Sequence, residues 1–400
     1  MRDRFSLYWG DLHTHFQDLA QGDFLLQAAR ENIDFTAVLC YPFFQEEKNG
    51  FLIETTRQRP EFLTWWARVN ELSAKHHQPG RFVTFPGYEW HGNRTRYGDH
   101  NVIYQQEGFP LDDTWSLPTL YRKMKKRLAL VIPHHTAYYV GFRGKDWRYF
   151  DPQPSPLMEI FSSHGSSEGI ETPRSLETNI NMGPLTSGGS FQDGLAFGHQ
   201  IGVIGSNDGP GLPGRWGLGR AAVWAEELTR ESLWEAFQSR RTYAVTGDRI
   251  TLELWAEGKP MGSIFQAGRT VELEVNLECS SFLDRVELIH NNLRTESFIP
   301  QPSSQISSWQ KHYKVRVEMG WGPANSRGFS YPSGTYWKWK GSLVVKNGRL
   351  RQTEKCITLP GQKLAFEQQG GRWYFRTRIR TDTGLAGIRQ GSGDQGEFSF

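Results

Sequence analysis

The sequence predicts an α/β domain built on a parallel sheet, followed by an antiparallel β domain. Two observations carry this. Up to about residue 245, apolar strand-like runs alternate with helical patterns, as strand–helix–strand units do. After "TYAVTGDRI" the pattern changes to period-two alternation broken by Gly and Asn turns. The change places one domain over residues 1–250 and a second over 251–400. Four hundred residues are also too many for one ordinary core.

The elements follow in order. "FSLYWGDL" reads as a strand, "FLLQAARENI" as a helix and "DFTAVLC" as a buried strand. "PEFLTWWARVNELSAKHH" is an amphipathic helix leading into the strand "RFVTFPGYEW". "TLYRKMKKR" leads into "LALVIPHH", and "PLMEIFSSHG" and "IGVIGSNDG" are two more buried strands. "TRESLWEAFQSRR" is a helix with Thr229 as N-cap and Glu231 in its first turn. Beyond it, "TLELWAEG", "TVELEVNLEC", "DRVELIHNN", "KHYKVRVEM", "GSLVVKNG" and "RWYFRTRIRT" read as strands of a sandwich-like domain. The polar, Gly/Ser-rich segment 166–193 is long for a connection and reads as a mobile loop or a functional lid.

The formal net charge is +3, from 46 basic and 43 acidic residues, so no nucleic-acid or membrane partner is expected. Cys40, Cys279 and Cys356 are too scattered for a disulfide framework or a metal knuckle and read as small buried hydrophobes. No signal peptide or membrane span stands out, which points to the cytoplasm.

Histidine is concentrated early: ten of twelve lie before residue 200. They recur at strand ends, together with carboxylates. The first strand ends at Asp11, His13 and His15, and a later one at Glu89 and His91. His100 opens the run "HNVIY", and His134 and His135 end "LALVIPHH". Glu159 and His164 lie on "LMEIFSSHG", and Asp208 ends "IGVIGSND". In a parallel barrel those ends converge on one face. Imidazole and carboxylate together suit a divalent metal. Any one such histidine is ordinarily a hydrogen-bonded structural residue. The recurrence on five or six strands is what weakens that reading. In "DLHTH", His13 and His15 point to the same side of a strand and can share one ion. Asp11, on that side too, could hold an imidazole N–H. His76 and His77 read as a solvated helix end, and His199 as structural.

The motifs "GDLHTHF", "ARENIDFTAV", "PGYEW", "DHNVIY", "IPHHTAY", "EIFSSHGSSE", "GVIGSND" and "RRTYAVTGDRI" together resemble the PHP (polymerase and histidinol phosphatase) superfamily, and more closely its DUF3604 branch. The resemblance covers roughly residues 5–265. It implies a distorted (β/α)7 barrel, a cluster of Zn, Mn or Fe ions, and mostly phosphoester hydrolysis. The implied metal ligands are His13, His15, Glu89, His100, His134 (with His135 as a substitute), His164 and Asp208. Two places depart from the family pattern. "AVLCYP" puts Leu39, Cys40 and Tyr41 where the family has "TDH", and Asp208-Gly209-Pro210 lacks a late histidine. One or two ions per chain are therefore expected, with Cys40 in packing.

The expected chemistry is hydrolysis by metal-activated water, with Asp208 orienting the water and His164 or His135 protonating the leaving group. Arg215 and Arg220 on "GPGLPGRWGLGR" are candidates for gripping an anionic, small-molecule or carbohydrate-derived substrate. Trp216, Trp9 and Trp90 are candidates for stacking on a ring. Two rivals remain: a metal hydrolase of an ester, lactone, amide or glycan substituent, and a non-catalytic carbohydrate-binding protein.

Overall fold

The computed structural model describes residues 4–16, 19–42, 44–48, 51–55, 60–90, 92–170, 172, 176, 184–210, 212–214, 218–280, 283–300, 336–344, 350, 353, 363–370, 372–380 and 397–399. The chain divides into two compact units, Met1–Leu176 with Thr186–Lys314, and Glu177–Leu185 with Val315–Phe400.

Nine strands of the first unit position the site. They are β1 (Ser6–Asp11), β2 (Phe35–Cys40), β3 (Val83–Trp90), β4 (His100–Tyr104), β5 (Ala129–Pro133), β6 (Leu157–Ser162), β7 (Gly202–Gly205), β8 (Arg220–Ala225) and β9 (Thr242–Val245). The main sheet runs in the order β9-β8-β1-β2-β3-β4-β5. Only the pairs β1–β2 and β2–β3 are parallel; β8 and β4 run antiparallel to them, and β9 and β5, each antiparallel to its own neighbour, run in the direction of β1–β3 again. The expected parallel sheet is thus a mixed one. Residues 91–99, which join β3 to β4, are too few for a parallel crossover, which needs a dozen or more. Helices α3 (Leu117–Met124) and α5 (Arg230–Gln238), which have the short α4 (Phe191–Ala196) between them in the chain, do bridge longer gaps, after β4 and β8, yet return the chain antiparallel. A helical pattern between two strands does not by itself set their direction.

The sheet curls into a half-barrel. Strands β6 and β7 pair in parallel with each other. They bridge its two ends: Val131 N donates to Pro154 O (2.7 Å), and Thr242 Oγ1 to Val203 O (2.9 Å). Strand alternation sorts the side chains. Phe35, Ala37 and Leu39 of β2, Val83 and Phe85 of β3, Ile103 of β4, Leu130 and Ile132 of β5, Leu157 of β6 and Ile204 of β7 form one interior cluster. Val38, Cys40, Tyr88, Trp90, Val102, Tyr104 and Val131 face the opposite way. They pack against α1 (Gly22–Ala29), α2 (Pro60–His76) and α3. Trp234 and Phe237 of α5 meet Phe85 and Phe35, so this helix closes the end where β2 and β3 begin. Thr229 is its N-cap, accepting from Ser232 N at 3.2 Å.

Residues just past 250 belong to this first unit. β10 (Ile250–Ala256) pairs antiparallel with β11 (Leu273–Cys279), and β12 (Val286–His290) with β13 (Leu293–Phe298). Trp224 Nε1 donates to Leu252 O (3.0 Å) and the Tyr243 hydroxyl to Ile250 O (2.6 Å). Ile250, Leu252 and Met261 cover the cluster of Trp9, Ala222, Tyr243 and Val245. The second unit holds β14 (Tyr336–Val344), β15 (Lys363–Gln369), β16 (Arg372–Arg380) and β17 (Glu397–Ser399), in the order β15-β16-β14-β17. Its first three strands are antiparallel, and β17 joins β14 in parallel. "KHYKVRVEM" and much of 166–193 lie outside the described residues. Among the described residues, no helix is long and apolar enough to cross a membrane.

Candidate metal centre

Continuing the inward positions by one pleat builds the site. After Leu39 comes Tyr41, after Phe85 and Gly87 comes Glu89, after Ile132 comes His134, and after Leu157 comes Glu159. Glu89 is level with Asn101, and Asn101 with Ile132. His13 and His15 follow β1 in the short strand Thr14–His15, which pairs with Gly209–Pro210. Asp208 N donates to His13 O (2.6 Å), tying the two motifs together through backbone.

The side chains converge as expected. His13 Nε2 lies 3.3 Å from Asp208 Oδ1, and His15 Nε2 lies 3.0 Å from the same oxygen. His134 Nε2 is 3.4 Å from Glu89 Oε1, while Glu89 Oε2 is 3.9 Å from His13 Nε2. His164 Nε2 is 3.4 Å from Asp208 Oδ2. Among the described residues, three triads of donor atoms, each within 4.8 Å, result: His13, Glu89 and His134; His13, His15 and Asp208; and His135, His164 and Asp208. Asp99 with His134 and His135 makes a fourth. Asp99, however, faces Arg94 Nε (2.6 Å) and Arg143 Nε (2.5 Å), with His135 Nε2 at 3.5 Å. Two guanidiniums already neutralise it, so it serves better to orient His135 than to hold a cation. His135 (φ 35°) and Asp208 (φ 48°) both adopt the left-handed region, an uncommon backbone for residues other than glycine.

Electrostatics favour the ligating form at three of the imidazoles. Burial, reinforced by His13, pushes His134 down to about 4. Burial also depresses His135 and His164. All three are neutral at neutral pH, with lone pairs to give. Burial would depress His13 too, but Asp208 and Glu159 hold it well above the ordinary value. Burial opposes ionisation of Asp208, and the charge on His13 still keeps it well below the usual carboxylate range. Among the described residues, Nδ1 of His134 and Nδ1 of His135 are buried without a hydrogen-bond partner, and His134 Nε2 has only the Glu89 carboxylate at 3.4 Å. Each such orphan costs about 1–3 kcal/mol. Uncharged imidazoles and carboxylates packed together in this way fit a divalent cation.

Other expected residues fall differently. His100 faces outward, in the same parity as Val102 and Tyr104, against Trp90 and Tyr121, and joins none of the donor groups. Asn101 takes the inward position instead. Asp11 holds no imidazole: its carboxylate accepts from the backbone N–H of His13, Asn207 and Gly214 and from the Thr14 hydroxyl, fastening the two motif loops. Arg220 is not on a loop but opens β8, buried, donating Nε to Gly214 O (2.9 Å). Trp9 and Trp90 are core residues. His76 is buried and bonds Asp23 (2.7 Å), while His199 bonds Trp147 O (2.8 Å). Cys40 is buried among apolar neighbours, and burial pushes its thiol up to about 12. Arg215, Trp216 and His91 lie outside the described residues.

Three further side chains, Glu159, Tyr138 and Tyr41, contact the site's imidazoles. Glu159 Oε2 lies 2.8 Å from His13 Nδ1, with one proton held between them. A carboxylate of inward parity inside the apolar run "LMEIF" was the available signal. The Tyr138 hydroxyl pairs with His164 Nδ1 (2.9 Å). Tyr41 brings its hydroxyl to 3.3 Å from His13 Nε2, its ring against His15.

The family model for a protein of unknown function, DUF3604, matches residues 216–273. An uncharacterised protein of Chlamydia pneumoniae is 26% identical over 325 residues, covering 75% of this chain and 50% of its own length. One from Chlamydia muridarum is 23% identical over 261 residues, covering 58% and 40%. The chain thus spans half or less of the length of these curated relatives. A Bacteroides vulgatus crystal structure, described as a two-domain protein containing a predicted PHP-like metal-dependent phosphoesterase, aligns with a TM-score of 0.38 at 13% identity. That alignment covers 74% of this chain and 84% of the other.

Proposed function

We propose that the protein is a metal-dependent hydrolase, most directly a phosphoesterase, acting on a small anionic substrate. The observation that carries this reading is the largely buried cluster of imidazoles and carboxylates, with orphaned nitrogens on His134 and His135, at the ends of strands that share one interior. A bound Zn, Mn or Fe ion supplies a Lewis acid and a water acidic enough to ionise near neutral pH. Glu89 has one oxygen toward His13 and the other toward His134. Asp208 likewise has Oδ1 toward His13 and His15, and Oδ2 toward His164. These two carboxylates can each serve two positions, which accommodates one or two ions. Asp208 also accepts from the attacking water and so orients it. His164 is 17% exposed and pairs through Nδ1 with the Tyr138 hydroxyl; burial favours its neutral form, so it acts first as a donor to the ion, and it serves as acid for a leaving oxygen only after taking up a proton. His135 lies behind it. Arg215 and Trp216 are retained as substrate contacts on sequence grounds.

Elemental analysis with a panel of chromogenic phosphate, carboxylate and lactone esters tests this. At least one equivalent of metal and phosphoester turnover are expected. His13→Ala should remove bound metal and activity together, whereas Cys40→Ser should retain both. Less than one equivalent after incubation with zinc and manganese, or metal loss on Cys40→Ser, overturns the metal centre. Turnover of carboxylic esters alone transfers the reading to a non-phosphate bond.

A further inference from the structure

We propose that Tyr41 is a metal ligand, its phenolate oxygen completing the coordination sphere of the ion held by His13, His15 and Asp208. The inference rests on the metal-centre reading above and deepens it.

The argument is geometric. Strand β2 sends Phe35, Ala37 and Leu39 into the interior, and Tyr41 is the next residue of that parity. Leu39 is level with Gly87, so one further pleat puts Tyr41 beside Glu89 at the mouth. The hydroxyl then stands 3.3 Å from His13 Nε2. Donors bound to one tetrahedral ion at about 2.0–2.1 Å stand about 3.3 Å from one another. The separations found are of this size: 3.3 Å from His13 Nε2 to Tyr41 OH, 3.3 Å from His13 Nε2 to Asp208 Oδ1, and 3.0 Å from His15 Nε2 to Asp208 Oδ1. Glu89 Oε2, at 3.9 Å from His13, stands further out, with its other oxygen on His134.

The supporting contacts fix the donors. Glu159 occupies His13 Nδ1, leaving Nε2 as the nitrogen facing Tyr41 and Asp208. The His15 ring lies edge-on to the Tyr41 ring, centroids 4.2 Å apart, which steadies both. Two imidazoles, a carboxylate and a phenolate form a hard-to-borderline set suited to zinc or iron. On binding, the phenol O–H bond breaks heterolytically; its proton leaves to solvent and its electron pair goes to the ion, with no change of oxidation state. A phenol hydrogen-bonded to His13 is the competing role, and it makes a different spectroscopic prediction.

The test uses the full chain loaded with ferric citrate. Wild type should show a visible phenolate-to-iron charge-transfer band with resonance-enhanced tyrosine ring modes. Tyr41→Phe keeps the ring against His15 and should lack the band, while Tyr138→Phe should retain it. With zinc and a competing chromophoric chelator, Tyr41→Phe should bind at least about tenfold more weakly. The proposal is overturned if wild type carries one iron per chain without the band, if the band survives in Tyr41→Phe, or if zinc affinity is unchanged. Wild type that binds neither iron nor zinc overturns the metal centre itself.

Discussion

Glu159 sits one pleat below the mouth of the half-barrel, where Leu157 continues the apolar interior. Its place among hydrophobic neighbours raises its affinity for a proton, and the proton it shares is the one on His13 Nδ1. A carboxylate so placed fixes the imidazole ring and leaves Nε2 as the donor. Replacing it by Gln keeps the shape but weakens that control. Glu159→Gln should weaken zinc binding by about 10–100-fold while circular dichroism is unchanged; a titration showing wild-type affinity would remove Glu159 from the site. Lys145 is a second buried group with a measurable consequence. It is 1% exposed, donates to Tyr149 O, and burial pushes it down to about 7 from an ordinary 10.5. Between those values the unfolded chain binds a proton that the folded chain does not, so stability rises with pH across that window. Below about 7 both states are charged and the full penalty persists. From pH 7 to 9 the contribution should rise by roughly 2 kcal/mol. Denaturant titrations of Lys145→Met should lack that rise; equal slopes in the two proteins would contradict the assignment.

Strand parity decides which side chain joins the site, and it was only partly readable. For β2, β3 and β5 the apolar runs are continuous because both faces are buried, so their sequence does not mark the inward face. His100 illustrates the result. The residue type suggests a ligand, but His100 is level with outward-facing Trp90, so it turns away from the site and Asn101, level with Glu89, points inward. Arg220 closes the Gly-rich stretch of the sequence, yet it opens a strand that Ala221 and Val223 continue. Helix ends were more legible, because a cap is a local hydrogen bond with its own sequence signal. Thr229 accepts from Ser232 N and starts α5, whose Trp234 and Phe237 plug the barrel floor. Thr229→Ala should cost about 1 kcal/mol, read as a lowered denaturation midpoint with an unchanged m-value. A neutral result would mean that core packing alone sets where this helix begins.

At the scale of the molecule, the change of pattern near Thr251 was visible, but it did not mark where the first unit ends. The period-two signal reports antiparallel strands and is silent on what those strands cover. Here β10 lies against Trp9, Trp224 and Tyr243, three large aromatics that the strands of the half-barrel leave on their outer side. Tyr243 both donates to Ile250 O and accepts from Leu252 N, so the joint is made by hydrogen bonds as well as apolar contact. Arg240 adds a bond to Gly262 O (3.1 Å). Cutting the chain after Gly247 would strip these partners from the aromatic face. Cutting it after Lys314 would leave them in place, because the first unit extends to that residue. Burying a large apolar side chain contributes about 1.5–3 kcal/mol, and several lose cover in the shorter cut, so the loss should exceed the margin of an ordinary domain. A chain ending at Lys314 should therefore give a cooperative unfolding transition and full zinc binding, and a chain ending at Gly247 should give neither. Equal folding and zinc uptake by the two would show that β10 and its neighbours are an appendage, and would return the boundary to residue 250.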